Sequence, residues 1–363
     1  MRLWRHHLLI LLAALCISSF SHRALAGPYL LMDVGSGRVL EHEDAFRRWY
    51  PASLTKLMTA YVVFRAIQLG EIGLDSPVHI SEHAANEQPS KMGYSPGSLL
   101  TLDNALKIIM VISANDITTA IAESVGGSEA AFVARMNAEA QRLGMTDSHF
   151  VNAHGLPKPN QYTTARDLAV LVRALRLEFP QYAAYFSIEG LRYGQSTKEN
   201  TNLLIGRFDG ADGMKTGYIC ASGFNLIATA TRGERTLAAI VLGAHSDVQR
   251  AELAADLLTR GFEAPSGGQA LASLRPSAPT MQQVADIHEE ICSKEAVAKR
   301  IEEQDDQGRL VTTSPFVEPR KREPQFVSVG LIQKPSKSRY ANIPIPTPRP
   351  AYPPQPVAAE QGS

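Results

Sequence analysis

Apolar residues in this chain follow two rhythms. Near the start, Tyr29-Leu30-Leu31-Met32-Asp33 and Arg38-Val39-Leu40 flank Gly35-Ser36-Gly37; two apolar runs around a glycine-rich turn predict a β-hairpin. The period then lengthens. From Ala52 to Leu69, Leu54, Leu57, Met58, Tyr61, Val62 and Phe64 recur at helical spacing and Gly70 follows as a stop, which predicts a buried helix with Ser53 in its first turn. Further helices are predicted over Leu102–Val111, Asp116–Ser124 and Ala130–Leu143, and another begins at Thr164, a cap ahead of Arg166-Asp167-Leu168-Ala169. The short period returns in Phe224–Ala230 and Thr236–Leu242, which flank Arg232-Gly233-Glu234 and predict a second hairpin, with a closing helix over Arg250–Leu258. Beyond Phe262 the composition changes. Met281–Glu303 has the pattern of one amphipathic helix, and from Pro315 onward prolines punctuate the chain to its end, predicting an extended, largely disordered tail. That tail reads as a spacer or as a ligand for a partner that recognises polyproline helices.

Composition narrows the class. The 363 residues are 44% hydrophobic, enough for a substantial core, and 36 basic side chains balance 36 acidic ones. With no block of lysine and arginine to neutralise phosphates, nucleic acid is excluded as a partner. Arg2, Arg5, His6 and His7 precede the apolar run Leu8–Ile17, and Ala24-Leu25-Ala26 supplies small residues at a cleavage site. Residues 1–26 therefore read as a secretory signal, too short in its apolar part for the roughly 20 residues a spanning helix needs. Export leaves Cys220 and Cys292 in the mature chain. A single bridge and two free thiols are both compatible with their spacing, and neither amounts to a disulfide framework. His288-Glu289-Glu290 lacks the second histidine of a metalloprotease helix, so the histidines read as non-ligands and no metal is expected.

The candidate chemistry lies in three short pieces. Ser53-Leu54-Thr55-Lys56 is the chain's only Ser-x-x-Lys; Ser113-Ala114-Asn115 follows after 60 residues, and Lys215-Thr216-Gly217 after 100 more. A serine hydroxyl is a poor nucleophile until a neighbouring base takes its proton, and three residues along a helix bring the Lys56 amine to the Ser53 face. One Ser-x-x-Lys arises about once by chance in a chain of this length. Three pieces in this order do not. Ser53 as a plain cap, Lys56 as a solvated side chain, Ser113 and Asn115 as turn residues and Arg250 as a solvated arginine opening a surface helix are the competing readings.

Together with His154-Gly155-Leu156, Thr164-Ala165-Arg166-Asp167 and Asp212-Gly213-Met214 ahead of Lys215, these motifs resemble the D-alanyl-D-alanine carboxypeptidases among the low-molecular-mass penicillin-binding proteins, over roughly residues 27–262. The resemblance implies a mixed α/β (α+β) architecture, the penicillin-recognising serine transpeptidase and β-lactamase-like fold: an antiparallel sheet flanked by helices. It implies that Ser53 is the nucleophile, Lys56 its general base and Ser113 the proton relay. Asn115, Lys215, Thr216 and Arg250 would hold the substrate, with Gly217 completing the strand motif and the backbone N–H groups of Ser53 and Tyr218 forming the oxyanion hole. No cofactor is implied. Peptidoglycan stem peptides are the implied substrates, β-lactam antibiotics the implied inhibitors, and the periplasm the implied location.

Two departures from the family pattern stand out. Ile219 replaces the threonine often found two residues past Lys-Thr-Gly, and the C-terminal part shows neither an alternating-strand domain nor a terminal amphipathic membrane helix. The expected organisation is a signal peptide to residue 26, a catalytic domain over 27–262, a helical or linker region over 263–314 and a Pro-rich tail over 315–363. A class A β-lactamase would need a Glu-x-x-x-Asn loop between the second and third motifs, and none stands out. Crosslink endopeptidase activity and a weakly catalytic peptidoglycan binder remain as alternatives, the latter opposed by intact Ser53, Lys56, Ser113 and Lys215.

Overall fold

The computed structural model describes residues 27–265, 267–276, 282–302, 304–305 and 311–332; the signal segment expected over 1–26 and the prolines past 332 lie outside them. Strands β1 (Tyr29–Asp33) and β2 (Arg38–Glu43) form the first predicted hairpin. Two small strands, β3 (Pro77–His79) and β4 (Leu99–Thr101), pair with each other, as do β5 (Gly190–Tyr193) and β6 (Ser196–Glu199). The main sheet is completed by β7 (Ala211–Ile219), β8 (Gly223–Arg232), β9 (Arg235–Ala244) and β10 (Gln269–Ala270), in the antiparallel order β10-β2-β1-β9-β8-β7.

Both faces of this sheet are buried, and the period of two shows how. Leu30, Met32, Ala238, Ile240 and Leu242 join a core with the helices α1 (Thr55–Gln68), α2 (Glu82–Ala85), α3 (Leu102–Val111), α4 (Asn115–Gly126), α5 (Glu129–Leu143) and α6 (Ala165–Glu178). Tyr29, Leu31, Leu237, Ala239 and Val241 point the other way, onto Ala251, Ala254, Ala255 and Leu258 of α7 (Asp247–Glu263). A sheet between two helical layers is the expected α+β architecture.

Helix starts follow capping chemistry. Thr101, Ser128, Thr164 and Ser246 each accept a hydrogen bond from a backbone N–H three residues on, satisfying a donor that would otherwise have no partner. The nucleophile helix differs from its prediction: Ala52–Leu54 form a 3-10 turn and the α-helix begins at Thr55. Ser53 thus sits in a tight turn just before α1.

The C-terminal part differs more. Where one amphipathic helix was expected over Met281–Glu303, α8 (His288–Cys292) and α9 (Lys294–Glu302) are separated by the extended Ser293. Cys220 and Cys292 form a disulfide, which resolves the pairing left open by the sequence. The region read as a linker is strapped to the domain by β10 on β2, by the Ala285 N–H donating to the Arg48 carbonyl and by the Ile287 N–H donating to that of Ala221. Packing also passes the boundary expected at 315. Strand β11 (Phe326–Ser328) pairs in parallel with β5, Val317 and Val329 are buried, and the Ser314 N–H donates to Glu252. Val317 lies between Pro315 and Glu318 with no periodic run around it, whereas Phe326-Val327-Ser328-Val329 is a short apolar run set among prolines that the sequence reading passed over.

Candidate active site

The site forms where the Ala52–Leu54 turn meets the edge strand β7. Gly217 makes that approach feasible: a Cβ there would stand 3.0 Å from the Pro51 carbonyl oxygen and 3.0 Å from the Ser53 nitrogen. Lys215-Thr216-Gly217 therefore lies within an edge strand, beside the turn that carries Ser53.

Lys56 is fully buried, and its Nζ meets three oxygens: Ser53 Oγ at 3.1 Å, Asn115 Oδ1 at 2.8 Å and the His154 carbonyl at 2.7 Å. Two of the three sequence motifs are thus joined through one amine. Asn115 is held by its own amide, which donates to the Gln88 carbonyl, and by its backbone N–H, which donates to that of Ser90. Beside it Asp116, fully buried, accepts from the N–H groups of Met92 and Gly93, so the 86–94 segment is folded against the start of α4. Ser113 adopts a left-handed φ of 64°, and its Oγ has no hydrogen-bond partner among the described residues. It belongs to the same turn as Asn115 but is not bonded to Lys56 or Lys215.

The third motif adds charge. Lys215 is buried and donates to the Thr216 carbonyl at 3.0 Å, while the Thr216 and Thr201 hydroxyls lie 2.6 Å apart. Arg250 is only 6% exposed, which corrects the surface-helix alternative: it lies beneath the Phe224 ring and donates to the carbonyls of Asn225, Gly217 and Thr201. Burial lowers the pKa of all three cations here, and for the two lysines a neighbouring cation adds to it. Burial lowers the Arg250 pKa to about 10. Burial and then the Arg250 charge push Lys215 down to about 7. Burial and then the Lys215 charge hold Lys56 well below the ordinary lysine range. Tyr218, next along β7, is 42% exposed and packs against Phe224 at a centroid distance of 4.2 Å.

Sequence reasoning missed several contributors. It gave His154 no role beyond its place in a motif, yet the His154 carbonyl is the shortest contact of Lys56; a backbone group leaves no residue-type signal. It missed Thr201, and also Asn225, which donates to the Tyr50 carbonyl and accepts from Gly243, tying β8 to the nucleophile turn. An asparagine inside the apolar run 224–230 was a signal that could have found it.

The chain matches a family model described as D-alanyl-D-alanine carboxypeptidase over residues 18–246, well over half its length. The chain belongs to the D-alanyl-D-alanine carboxypeptidase family. Curated relatives within this family include DacC of Escherichia coli, 37% identical over 244 residues, and DacD of Salmonella typhimurium, 39% identical over 243. Each alignment covers 65% of this chain and 61% and 62% of the relative, so the chain spans less than two thirds of either. Among solved structures, penicillin-binding protein 6B of Escherichia coli superposes with a TM-score of 0.62 at 37% identity, covering 68% of this chain and 80% of that one. DacD of Francisella tularensis gives 0.64 at 31% identity, covering 65% and 70%.

Proposed function

We propose that this chain is a serine D-alanyl-D-alanine carboxypeptidase that removes the terminal D-alanine from peptidoglycan stem pentapeptides through an acyl-enzyme on Ser53. The observation that carries the reading is the set of contacts around Lys56. A neutral amine has two hydrogens and one lone pair. The Asn115 and His154 oxygens can only accept, so they take both hydrogens. What remains is the lone pair, facing Ser53 Oγ at 3.1 Å, and its role is to take the hydroxyl proton as the oxygen attacks the carbonyl between the two D-alanines. The neutral form is the one the buried, cation-flanked setting favours.

The remaining residues divide the substrate between them. Lys215, Thr216 and Arg250 receive the terminal carboxylate, and the Asn115 amide holds the peptide backbone. The backbone N–H groups of Ser53 and Tyr218 receive the developing oxyanion, each contributing about 3 kcal/mol to the transition state. Ser113, with its hydroxyl unengaged, passes the proton to the departing D-alanine. A β-lactam carbonyl enters the same place and acylates Ser53; penicillin-binding protein D2 of Listeria monocytogenes, 28% identical, has been solved in its cefotaxime-bound form.

Residues 1–26 are assigned to export and the enzyme to the periplasm. No helix among the described residues is long and apolar enough to cross a membrane. The prolines past residue 332 are read as a spacer, with a partner that recognises proline-rich segments as the alternative. The activity is tested by D-alanine release from a pentapeptide ending in D-alanyl-D-alanine, with the Ser53→Ala chain as control. Release by the parent alone supports the assignment; folded parent that acylates with penicillin but releases no D-alanine refutes it, and rapid turnover of that adduct would indicate a β-lactamase.

A further inference from the structure

Behind the 86–94 segment, on the side of the helical layer away from the sheet, three carboxylates converge without an arginine or lysine ion-pair partner among the described residues: Glu87, Glu123 and Glu129. His83 lies among them. It comes from α2, Glu87 from just past the end of that helix, Glu123 from the last turns of α4 and Glu129 from the first residue of α5. A cavity of about 810 Å³, lined by His79, His83, Glu123 and Glu129 among others, opens onto the cluster.

Two imidazoles flank this place. His83 Nδ1 lies 2.8 Å from Glu123 Oε1 and its Nε2 lies 3.9 Å from Glu87 Oε1; with the Nδ1 proton given to Glu123, Nε2 is the nitrogen free to take an ion. A histidine whose second nitrogen is fixed by a carboxylate is the usual arrangement of a metal-binding imidazole. His154, 4% exposed, has the reverse arrangement: Nδ1 accepts the Leu156 N–H, so the proton is on Nε2. That N–H faces Glu87 Oε1 at 3.4 Å and Glu129 Oε1 at 3.9 Å and holds both carboxylates from the buried side. The donor atoms of His83, Glu87 and Glu129 all lie within 4.8 Å of one another, so side-chain shifts of up to about 1 Å bring them to roughly 2.1 Å from one ion.

We propose that His83, Glu87 and Glu129 bind one divalent transition-metal ion of the zinc class, with Glu123 orienting His83 and His154 positioning the two carboxylates. One imidazole nitrogen and two carboxylates suit zinc, cobalt or manganese; calcium and magnesium take oxygen ligands. Three protein ligands leave further positions to water. The ion is a clamp and not a reactant. Glu87 also accepts the Thr119 hydroxyl of α4, and the next residue, Gln88, is the acceptor for the Asn115 amide, so the ion would fasten the segment behind the proposed substrate-holding asparagine to α4 and α5. The sequence reading excluded a metal because it looked for histidine pairs; here the ligands come from three elements and only His83 and Glu87 are neighbours in sequence.

Equilibrium dialysis of the chelator-treated, tag-free protein against zinc tests the assignment, alongside His83→Ala, Glu123→Gln and, as a remote exposed control, His42→Ala. The expected result is one zinc per chain for the parent and for His42→Ala, binding at least tenfold weaker in Glu123→Gln, and loss of that zinc in His83→Ala. Zinc should raise the melting temperature of the parent and leave that of His83→Ala unmoved, while both melt alike without metal. X-ray absorption at the zinc edge should show a single imidazole among oxygen ligands. No saturable binding by the parent, or stoichiometric binding undiminished in His83→Ala, overturns the proposal.

Discussion

Gly155 supports the nucleophile turn from beneath, and its replacement by alanine is the most direct test of the geometry. It holds φ at +93°, and a Cβ there would stand 1.8 Å from the Ala52 carbonyl oxygen, 2.5 Å from its carbon and 2.8 Å from Thr55 Oγ1. Real Cβ atoms essentially never come closer than 3.0 Å, so loop or turn must retreat by more than about 1 Å in a close-packed interior. The loop cannot give way alone. The Gly155 N–H donates to Asn152 Oδ1 at 2.7 Å, and the preceding carbonyl holds Lys56. Displacement therefore falls on Ala52–Ser53, on Lys56, or on both. A misplacement of about 1 Å between reacting groups costs about 100-fold in rate, and an alanine forced to positive φ adds about 1–2 kcal/mol of strain. The expected outcome for Gly155→Ala is acylation by a fluorescent penicillin and D-alanine release both reduced about 100-fold, with a melting temperature lower by several degrees. Stopped-flow acylation and a thermal melt measure the two effects. Acylation within about threefold of the parent at an unchanged melting temperature would refute the idea that Gly155 fixes the nucleophile turn.

Four other outcomes follow from the charges and the disulfide. The kcat/KM profile should fall on the acid side as Lys56 gains a proton and on the alkaline side as Lys215, with its pKa near 7, loses its charge; a profile flat from about pH 5 to 9, about two units either side of Lys215, contradicts this. Lys215 binds a proton less readily folded, at about 7, than unfolded, at 10.5. Stability should therefore rise with pH across that interval, by up to about 1.4 kcal/mol per unit for this group. Lys215→Met should melt higher at pH 7 and lose part of the slope, and a steeper slope than the parent's would exclude Lys215 as its source. Arg250→Ala should raise KM for the pentapeptide by about 10- to 100-fold with a smaller change in kcat, the loss expected for a charge-assisted contact to a carboxylate; an unchanged KM removes Arg250 from substrate binding. Cys292→Ser opens a link between residues 72 apart, worth about 4 kcal/mol in chain-entropy terms. Limited proteolysis should then cut faster within residues 282–302 while D-alanine release persists, and unchanged protease resistance would show that packing alone holds this segment.

The parts of the fold that periodicity can express were legible in the sequence. Both hairpins, the buried nucleophile helix and the capped helix after Thr164 appear where the apolar spacing put them, because each buries a continuous face. Ser53 and Lys56 come together as expected because Ser-x-x-Lys is a local geometry, while Asn115 reaches them through the packing of α4. Other contacts were invisible for definite reasons. The His154 carbonyl is backbone, and any residue could supply it. Gly155 carries its meaning in a φ angle and a close approach to Ala52. For Arg250 a surface reading stayed open beside the substrate-holding one because its helix begins with Asp247, Gln249 and Arg250, and only the tertiary packing of Phe224 and Thr201 over it makes it buried. The C-terminal strap rests on one disulfide, a two-residue strand and a three-residue strand, too short for any pattern to establish itself.

The order of the cations gives the proposed mechanism a direction. Burial and then the Arg250 charge lower the pKa of Lys215, and burial and then the Lys215 charge lower that of Lys56, so each lysine is harder to protonate because of the cation behind it. Near neutral pH, Lys215 divides its population between charged and neutral forms. A peptide carboxylate arriving at Lys215 and Arg250 favours the charged form, and a fully charged Lys215 in turn holds Lys56 neutral with its lone pair on Ser53. Substrate bound by its C-terminal carboxylate would thereby complete the base that attacks it, and a peptide lacking that carboxylate would lose activation along with binding. Binding energy spent at the carboxylate would then reappear in the chemical step. A buried site holding two lysines and an arginine is costly to the fold, and this coupling supplies a reason for all three to be there.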